Sequence, residues 1–437
     1  MKNNTKTYSC PSLHHAVYLA PDMLRHCCKR FFVNGELRGD VKMFLVKNDE
    51  DINAKKILKA KRELYDSINC GDETPCSGCP FLTLDRWEPL DKLKINLLSI
   101  ESHSVCNMRC VYCDETYYGG LKAKYSLHKL FEHFLTVNAF NKSTSMVWGG
   151  GEPTLMDNFD EIFQLYSKNL KPGKIKLFTN AIKYSDVIVK YLKNGKLTIT
   201  ISTDAGTQAT FKKVRGVNAF DKVFKNIQRY YLAASSGIII KYVFTDHNST
   251  LEEIKSFLKQ INKYGLNKCD FQLSSNYKSK ELTNEQVLTI IYLYNELINN
   301  GAKTCHFDDH LRPRWNRIIK KICNNKNNDN CEFDFIVDYF SKLNDNKYII
   351  WGAGQLGYLM IKEGQLLEQS KIAFFVDKDK NKQGQHLCGI EIKHPHFIKS
   401  VDYPIIIASS QFYNDIYGEL IDNMAISKDR IMDSFII

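Results

Sequence analysis

Three cysteines, Cys106, Cys110 and Cys113, stand within the run CNMRCVYC. Their C-x3-C-x2-C spacing gives one short loop three thiolates. Three thiolates can hold three irons of a cubic [4Fe–4S] cluster and leave the fourth iron open to a small chelating ligand. A closed structural zinc site needs a fourth ligand that this run does not contain. Zinc, or thiols with no metal, stays the alternative for the three cysteines taken alone. Tyr112 stands beside the last of them, where its ring could flank a ligand at the open iron or pack in the core.

Further along comes GGGEP, Gly149, Gly150, Gly151, Glu152 and Pro153. Glycines there leave a backbone edge bare to a small zwitterion, and Glu152 could accept from an ammonium group. Asn180, Ser202 and Asp204 follow at the ends of later β-type runs. A carboxylate in such a place could hold ribose hydroxyls, although helix caps use the same residue types. Arg215, in KKVRG, could pair with a carboxylate nearby.

The elements that must position these groups are legible from periodicity. LKINLLSI (93–100), SMVWG (145–149), KIKLFT (174–179), KLTITIS (196–202), IIIKYVF (238–244) and KCDFQLS (268–274) read as strands. Amphipathic helical runs separate them, among them 127–137 and 159–169. Six βα steps predict an α/β fold with a parallel sheet, curled into a partial TIM-like (β/α)6 barrel. In such barrels the active site lies at the C-terminal strand ends, where the polar residues above fall.

Cys106, Cys110, Cys113 and Tyr112, then Gly149 to Pro153, then Asn180, Ser202, Asp204 and Arg215, resemble the radical S-adenosylmethionine (radical SAM) enzymes over residues 93–275. The resemblance implies S-adenosylmethionine as cofactor, its amino and carboxylate groups on the open iron. Gly149–Glu152 would receive the methionyl amine, and Ser202 and Asp204 the carboxylate or ribose. One electron would cleave the sulfonium and give a 5′-deoxyadenosyl radical that abstracts hydrogen. A flavodoxin- or ferredoxin-type protein would donate that electron.

Nine of the 14 cysteines precede residue 114. Residues 1–92 read as a small cysteine-rich region. Cys76 and Cys79 form C-x2-C in a Gly/Pro-rich knuckle, and Cys10 and Cys28 are the choices to complete a second [4Fe–4S] cluster, with Cys27 and Cys70 as substitutes. Zinc, completed by His14, His15 or His26, and thiols with no metal are the alternatives. Radical enzymes with an auxiliary cluster usually carry its cysteines after the barrel, and this chain departs from that order. Cys305, Cys323 and Cys331 lack such a motif and read as structural, and His306, Asp308, Asp309 and His310 form a polar knot that could border the substrate or be a solvated turn.

The barrel is expected over 93–310 and a helical connector over 311–345. From 346 to 437 a new unit starts with a strand, the run Gly352, Gly354, Gly357, a helix, and a second strand ending in Asp377. Asp377 lies 20 residues beyond Gly357, the spacing of a dinucleotide fingerprint. The run resembles the small Rossmann-like domain of some sugar-nucleotide acyltransferases and sugar C-methyltransferases. That implies a nucleotide or nucleotide-sugar ligand, with NAD(P) or a ligandless scaffold as alternatives.

Lys and Arg exceed Asp and Glu by 60 to 49 in 437 residues, a formal +11. The excess is scattered as single lysines, with no Arg/Lys stripe interleaved with aromatics for nucleic acid. No apolar run is long enough for a signal peptide or a membrane span, so a cytoplasmic protein is expected. The leading expectation is an enzyme that begins oxidation, epimerisation or rearrangement at a carbon of a sugar or nucleotide-sugar, in surface-glycan biosynthesis. A peptide- or protein-modifying radical enzyme is the first rival, and a non-catalytic, metal-stabilised binding protein the second.

Overall fold

The structure is a computed structural model that describes residues 5–34, 36–169, 175–324, 346–362, 369–409 and 412–432. The chain divides into two compact units. One comprises 1–241 with 252–269, and the other 242–251 with 270–437.

The first unit is built on a mostly parallel sheet. Its strands are β1 (Ala16–Leu19), β2 (Met23–Arg25), β3 (Lys42–Leu45), β4 (Ile95–Ile100), β5 (Phe140–Trp148), β6 (Ile175–Thr179), β7 (Leu197–Ser202) and the start of β8 (Ile238–Phe244). The order is β8-β7-β6-β5-β4-β1-β2-β3. From β8 to β1 every pairing is parallel, and β2 and β3 then add antiparallel. Among the described residues no pairing closes this sheet on itself.

Alternation sorts the two faces. Met146 and Trp148 of β5 are fully buried, and Trp148 packs against Phe159 and Phe163 of the helix Phe159–Asn169. Leu177, Ile199 and Ile201 are likewise buried. The opposite face carries Glu101, Val147, Phe178 and Thr200 between them, with Phe178 39% exposed. One face is therefore core, and the other is exposed at Phe178 and buried at Thr200.

The predicted barrel strands are present with ends shifted by a few residues, and the helices expected at 127–137 and 159–169 run Leu127–Thr136 and Phe159–Asn169. Strands at the N-terminus were not expected. Ala16–Leu19 pairs with β4, Tyr18 opposite Ser99. The boundary expected at residue 92 thus falls inside one sheet, because the cysteine-rich segment supplies a strand beside the first barrel strand. Helix α1 (Ala54–Cys70) begins at Asn53, whose side chain accepts from the Lys56 amide, and stops at Gly71 in the left-handed region (φ 84°).

In the second unit β9 (Asp270–Ser275) pairs in parallel with β10 (Thr304–Phe307). The polar knot expected at 306–310 is in part this strand. His306 stacks on Tyr413 at 4.9 Å, and Asp308 accepts from the His310 and Leu311 amides as the helix Leu311–Asn324 begins. Cys305 is buried as a small apolar residue. Cys331 and residues 325–345 of the expected connector lie outside the described residues.

The C-terminal sheet has strands β11 (Tyr348–Trp351), β12 (Ile372–Val376), β13 (His386–Leu387), β14 (Ile390–Lys393) and β15 (Ile405–Ile407), in the order β13-β14-β12-β11-β15. All pairings are parallel except β13 with β14. Ile349, Trp351, Phe374, Val376, Ile405 and Ile407 form its core with Ile398, Tyr413 and Leu420. Among the described residues no helix is long and apolar enough to cross a membrane.

Candidate active site

The loop after β4 carries Cys106, Cys110 and Cys113, and its path is set by backbone hydrogen bonds. The Arg109 amide donates to the Arg215 carbonyl at 3.1 Å and the Val111 amide to the Val214 carbonyl at 2.9 Å. Both acceptors end the helix Gln208–Arg215, which starts on a Thr207 cap and stops at Gly216, φ 75°. A Cβ on Gly216 would lie 2.7 Å from the Arg109 carbonyl oxygen, so only glycine lets the loop approach.

Arg215 turns back from that helix end onto Asp204, Nη1 to Oδ2 at 2.8 Å. The same oxygen accepts from the Tyr112 hydroxyl at 2.6 Å, and Arg215 also bonds that hydroxyl. Asp204 sits in the left-handed region at φ 55°, which Asp tolerates better than most residues. Arg215, expected to pair with a carboxylate, does so with Asp204. The Asp204 carboxylate is thereby engaged with the cysteine loop, an arrangement that differs from a ribose contact. Ser202 ends β7 half-buried, opposite Lys241 in register.

GGGEP lies against the residues leading into the cysteines. The amides of Gly149, Gly151 and Glu152 donate to the carbonyls of Ile100, His103 and Val105 at 2.8–2.9 Å. A Cβ on Gly151 would fall 2.3 Å from the Val105 oxygen, and one on Gly150 2.9 Å from the His103 oxygen. The glycines therefore admit the neighbouring chain segment. An ammonium ligand needs acceptors, and the carbonyl edge of this loop is the side suited to it.

Glu152 is 2% exposed and accepts from the Thr154 amide (3.2 Å) and hydroxyl (2.6 Å), the Thr179 hydroxyl (2.8 Å) and the Asn180 amide (2.6 Å). Burial pushes its carboxyl up, and these hydrogen bonds oppose that. Its side chain joins two strand ends, where the sequence suggested an ammonium contact. Asn180 Nδ2 donates to Asn107 Oδ1 at 2.6 Å and lies 3.9 Å from Cys106 Sγ. His103 went unnoticed in the sequence. It is buried, with Nε2 3.0 Å from the Glu152 carbonyl oxygen, and burial lowers its pKa while that contact opposes the shift.

Burial raises all three loop thiols, Cys113 to about 12, and Cys106 and Cys113 each feel the charge of Cys110. The three are thus neighbours. Among the described residues no three His, Cys, Asp or Glu side chains converge as a single metal ion would require. A cluster places each thiolate on a separate iron, and three thiols in one loop, with Asn180 beside Cys106, fit such a group.

A second thiol group forms in the N-terminal segment. Cys10 caps the short helix Pro11–His15, accepting from the Leu13 amide at 3.4 Å. Cys76 and Cys79 share a tight turn, the Cys79 amide donating to the Cys76 carbonyl at 3.0 Å. Burial raises Cys76 and Cys79 to about 12, and Cys10 and Cys27 add their charge at both. Cys10 in turn feels Cys27. Cys10, Cys76 and Cys79 are thus each within electrostatic reach of Cys27.

Cys28, the first choice in the sequence, has Glu101 ahead of Cys27 among its charged neighbours. Burial raises it to about 12, and its largest electrostatic neighbour is Glu101 at the end of β4. Cys70 is exposed at the end of α1. His14 stacks on Trp87 at 4.9 Å, and burial lowers it to about 4. Lys61 lies beside Cys10 and Cys27, fully buried, and desolvation pulls it down to about 7 against their opposing charge. An ionic network also escaped the sequence. Arg25 pairs with Glu101 and with Asp40 (3.0 Å), and Arg30 joins Asp40 (2.6 Å) to the Tyr117 hydroxyl (3.0 Å). It ties the N-terminal strands to the segment just after Cys113.

In the C-terminal sheet, Gly352, at φ 121°, opens the turn after β11, and a Cβ on Gly357 would lie 2.2 Å from the Gly352 oxygen. Nothing lies within 4 Å of a Cβ built on Gly354. Asp377 Oδ2 accepts from the Ala353 amide at 3.1 Å and pairs with Lys382 at 3.0 Å. Asp377 thus holds the glycine turn in place with one oxygen.

Residues 100–261 match the family model of the radical SAM superfamily, and residues 344–432 match that described as C2185-like, N-terminal. A probable GTP 3′,8-cyclase of Saccharolobus islandicus (strain Y.N.15.51 / Yellowstone #2) is 32% identical over 42% of this chain and 57% of its own length. The GTP 3′,8-cyclase of Clostridium botulinum (strain Okra / Type B1) is 27% identical over 47% and 66%. The chain spans less than two thirds of the length of these relatives. Streptococcus suis SuiB bound to S-adenosylmethionine matches at 15% identity and TM-score 0.39, covering 58% of this chain and 55% of that one. The cysteine loop, the glycine run and the strand ends all lie within the matched segment, and residues 100–261 belong to the radical SAM superfamily.

Proposed function

We propose that the chain is a radical SAM enzyme that abstracts hydrogen from a carbon of a sugar or nucleotide-sugar. Its chemistry rests on one observation, the Tyr112–Asp204–Arg215 group, its two charges buried, that fixes the three-cysteine loop against the segment after β7 and the end of the helix Gln208–Arg215. When bound at Cys106, Cys110 and Cys113, a [4Fe–4S] cluster supplies the electron that cleaves S-adenosylmethionine to methionine and a 5′-deoxyadenosyl radical. Asn180 directs an amide N–H toward the Cys106 sulfur, a contact that tunes a thiolate ligand. The carbonyl edge of Gly149–Gly151 receives the methionyl ammonium. Ser202, at the end of β7, lies on the ribose side.

Cys10, Cys27, Cys76 and Cys79 hold a second cluster in this reading, with Cys27 in the place the sequence gave to Cys28. Two features support the substrate class. The relatives named GTP 3′,8-cyclase act on a nucleotide. The C-terminal sheet presents a strand–glycine turn–helix with open space at Gly354 for a pyrophosphate. Oxidation, epimerisation and rearrangement all begin with the same abstraction. A flavodoxin- or ferredoxin-type protein is the electron donor, in the cytoplasm.

The test is anaerobic incubation of cluster-loaded, reduced protein with S-adenosylmethionine and a panel of nucleotide-sugars. The expected result is 5′-deoxyadenosine well above the uncoupled background with one of them. Stimulation by peptides and by no nucleotide-sugar would transfer the activity to peptide modification. No cleavage at all by loaded protein would remove the enzyme class.

A further inference from the structure

Lys61 stands on α1 one turn after Ile57, and these two are the buried residues of that helix. Helical spacing of four puts both on the face turned to the core. A lysine at such a position normally sends its ammonium out along the surface. Here the whole side chain is buried, at 0% exposure. Its Nζ donates to the Leu13 and Ala16 carbonyls, each at 2.7 Å. An ammonium has three N–H donors, and these two bonds use two of them.

Neutral carbonyls do not compensate a buried charge, which is costly unless an anion faces it. Among the described residues no carboxylate pairs with Lys61. The groups that favour its charged form are Cys10 and Cys27. The histidines around it, His14, His15 and His26, are neutral or cationic and supply no negative charge. Leu13, whose carbonyl accepts from Lys61, donates its own amide to Cys10 Sγ at 3.4 Å, so the cysteine site that contains Cys10 is the place for the missing anion.

We propose that Lys61 is the counter-charge of the N-terminal iron–sulfur cluster and sets its reduction potential. This rests on the reading that Cys10, Cys27, Cys76 and Cys79 hold that cluster. Reduction adds negative charge to an already anionic thiolate-bound cluster. A fixed cation nearby in a poorly solvated site stabilises the reduced form more than the oxidised one, and so raises the potential. Lys61 acts through the cluster and is a positioning residue. Its two carbonyl bonds also hold the segment that follows Cys10.

The experiment uses the full chain with C106A, C110A and C113A, so that the N-terminal site alone can load. It is reconstituted with iron and sulfide, and the midpoint is read by EPR-monitored redox titration. K61Q keeps N–H donors for the Leu13 and Ala16 carbonyls and loses the charge, whereas K61R keeps the charge. The expected result is a midpoint shifted to more negative potential in K61Q and close to that of the parent in K61R. Iron loading by K61R with none by K61Q would support the same requirement for charge. An unmoved midpoint in K61Q, an equal shift in both variants, or loss of loading in both, overturns the role of Lys61. A parent that binds no iron overturns the four-cysteine reading itself, and the proposal with it.

Discussion

Arg215 and Asp204 meet at 2.8 Å with side chains 6% and 0% exposed, and the carboxylate oxygen they share also accepts from Tyr112. Residues eleven apart in sequence, one before a helix and one at its end, thus clamp the loop that carries the three cysteines. Removing one partner leaves the other charge buried and alone, which typically costs about 3–5 kcal/mol. Arg215→Met is expected to destabilise the chain by that amount in urea unfolding. Asp204→Asn with Arg215→Met, which removes both charges, should recover a large part of the loss. A double variant as unstable as the single one would show that the pair does not act as a unit.

The two adjacent cysteines of HCCKR separate by environment. Cys27 shares a field with Cys10, Cys76 and Cys79, while Cys28 faces Glu101. Reconstituted wild-type protein with two [4Fe–4S] clusters carries about eight irons. Cys27→Ala is expected to lower that to about four, and Cys28→Ala to leave it unchanged. Iron and sulfide analysis on the purified variants distinguishes them. The reverse pattern would return Cys28 to the ligand set.

Much of the parallel sheet was legible because its strands alternate or run apolar between helical segments. Ile238–Phe244 and Phe159–Asn169 begin and end at the expected residues. Ala16–Leu19 was not legible, since its partner strand starts some 80 residues later and a four-residue apolar run has no periodicity of its own. Thr304–Phe307 is disguised by Cys305 and His306. The types and places of Asp204, Arg215 and Glu152 could be read, but their partners could not. Those depend on a left-handed residue at 204, a helix stop at Gly216 and a contact of Glu152 with Thr179 on another strand. Likewise, sequence cannot tell Cys27 from Cys28, because neighbouring side chains in an extended segment point in different directions.

Burial lowers His14 from 6.5 to about 4 and His26 from 6.5 to about 3. Below pH 6.5 the unfolded chain binds protons that the folded chain refuses. Stability is thus fully present above 6.5 and falls as the pH drops through about 4. The melting temperature of cluster-free protein should be level from pH 8 to 7 and decline steadily from 6.5 to 4.5. His14→Gln with His26→Gln should flatten part of that decline. An equal decline in the double variant would assign the acid sensitivity to other groups.

The three glycines of the C-terminal turn make different demands. A methyl at Gly357 would sit 2.2 Å from the Gly352 oxygen and 3.0 Å from the Phe375 ring, whereas one at Gly354 meets nothing within 4 Å. Gly357→Ala therefore forces the helix after the turn away from β11 and β12, an overpacking that typically costs about 1–3 kcal/mol. Gly354→Ala should leave unfolding within about 0.5 kcal/mol of wild type. If a pyrophosphate approaches the backbone there, the same methyl stands in its way. The expected outcome is a clean split. Gly357→Ala lowers the melting temperature, while Gly354→Ala keeps it and weakens nucleotide-sugar binding in calorimetry. Unchanged binding in Gly354→Ala would mean that the bare turn serves the packing of this sheet alone.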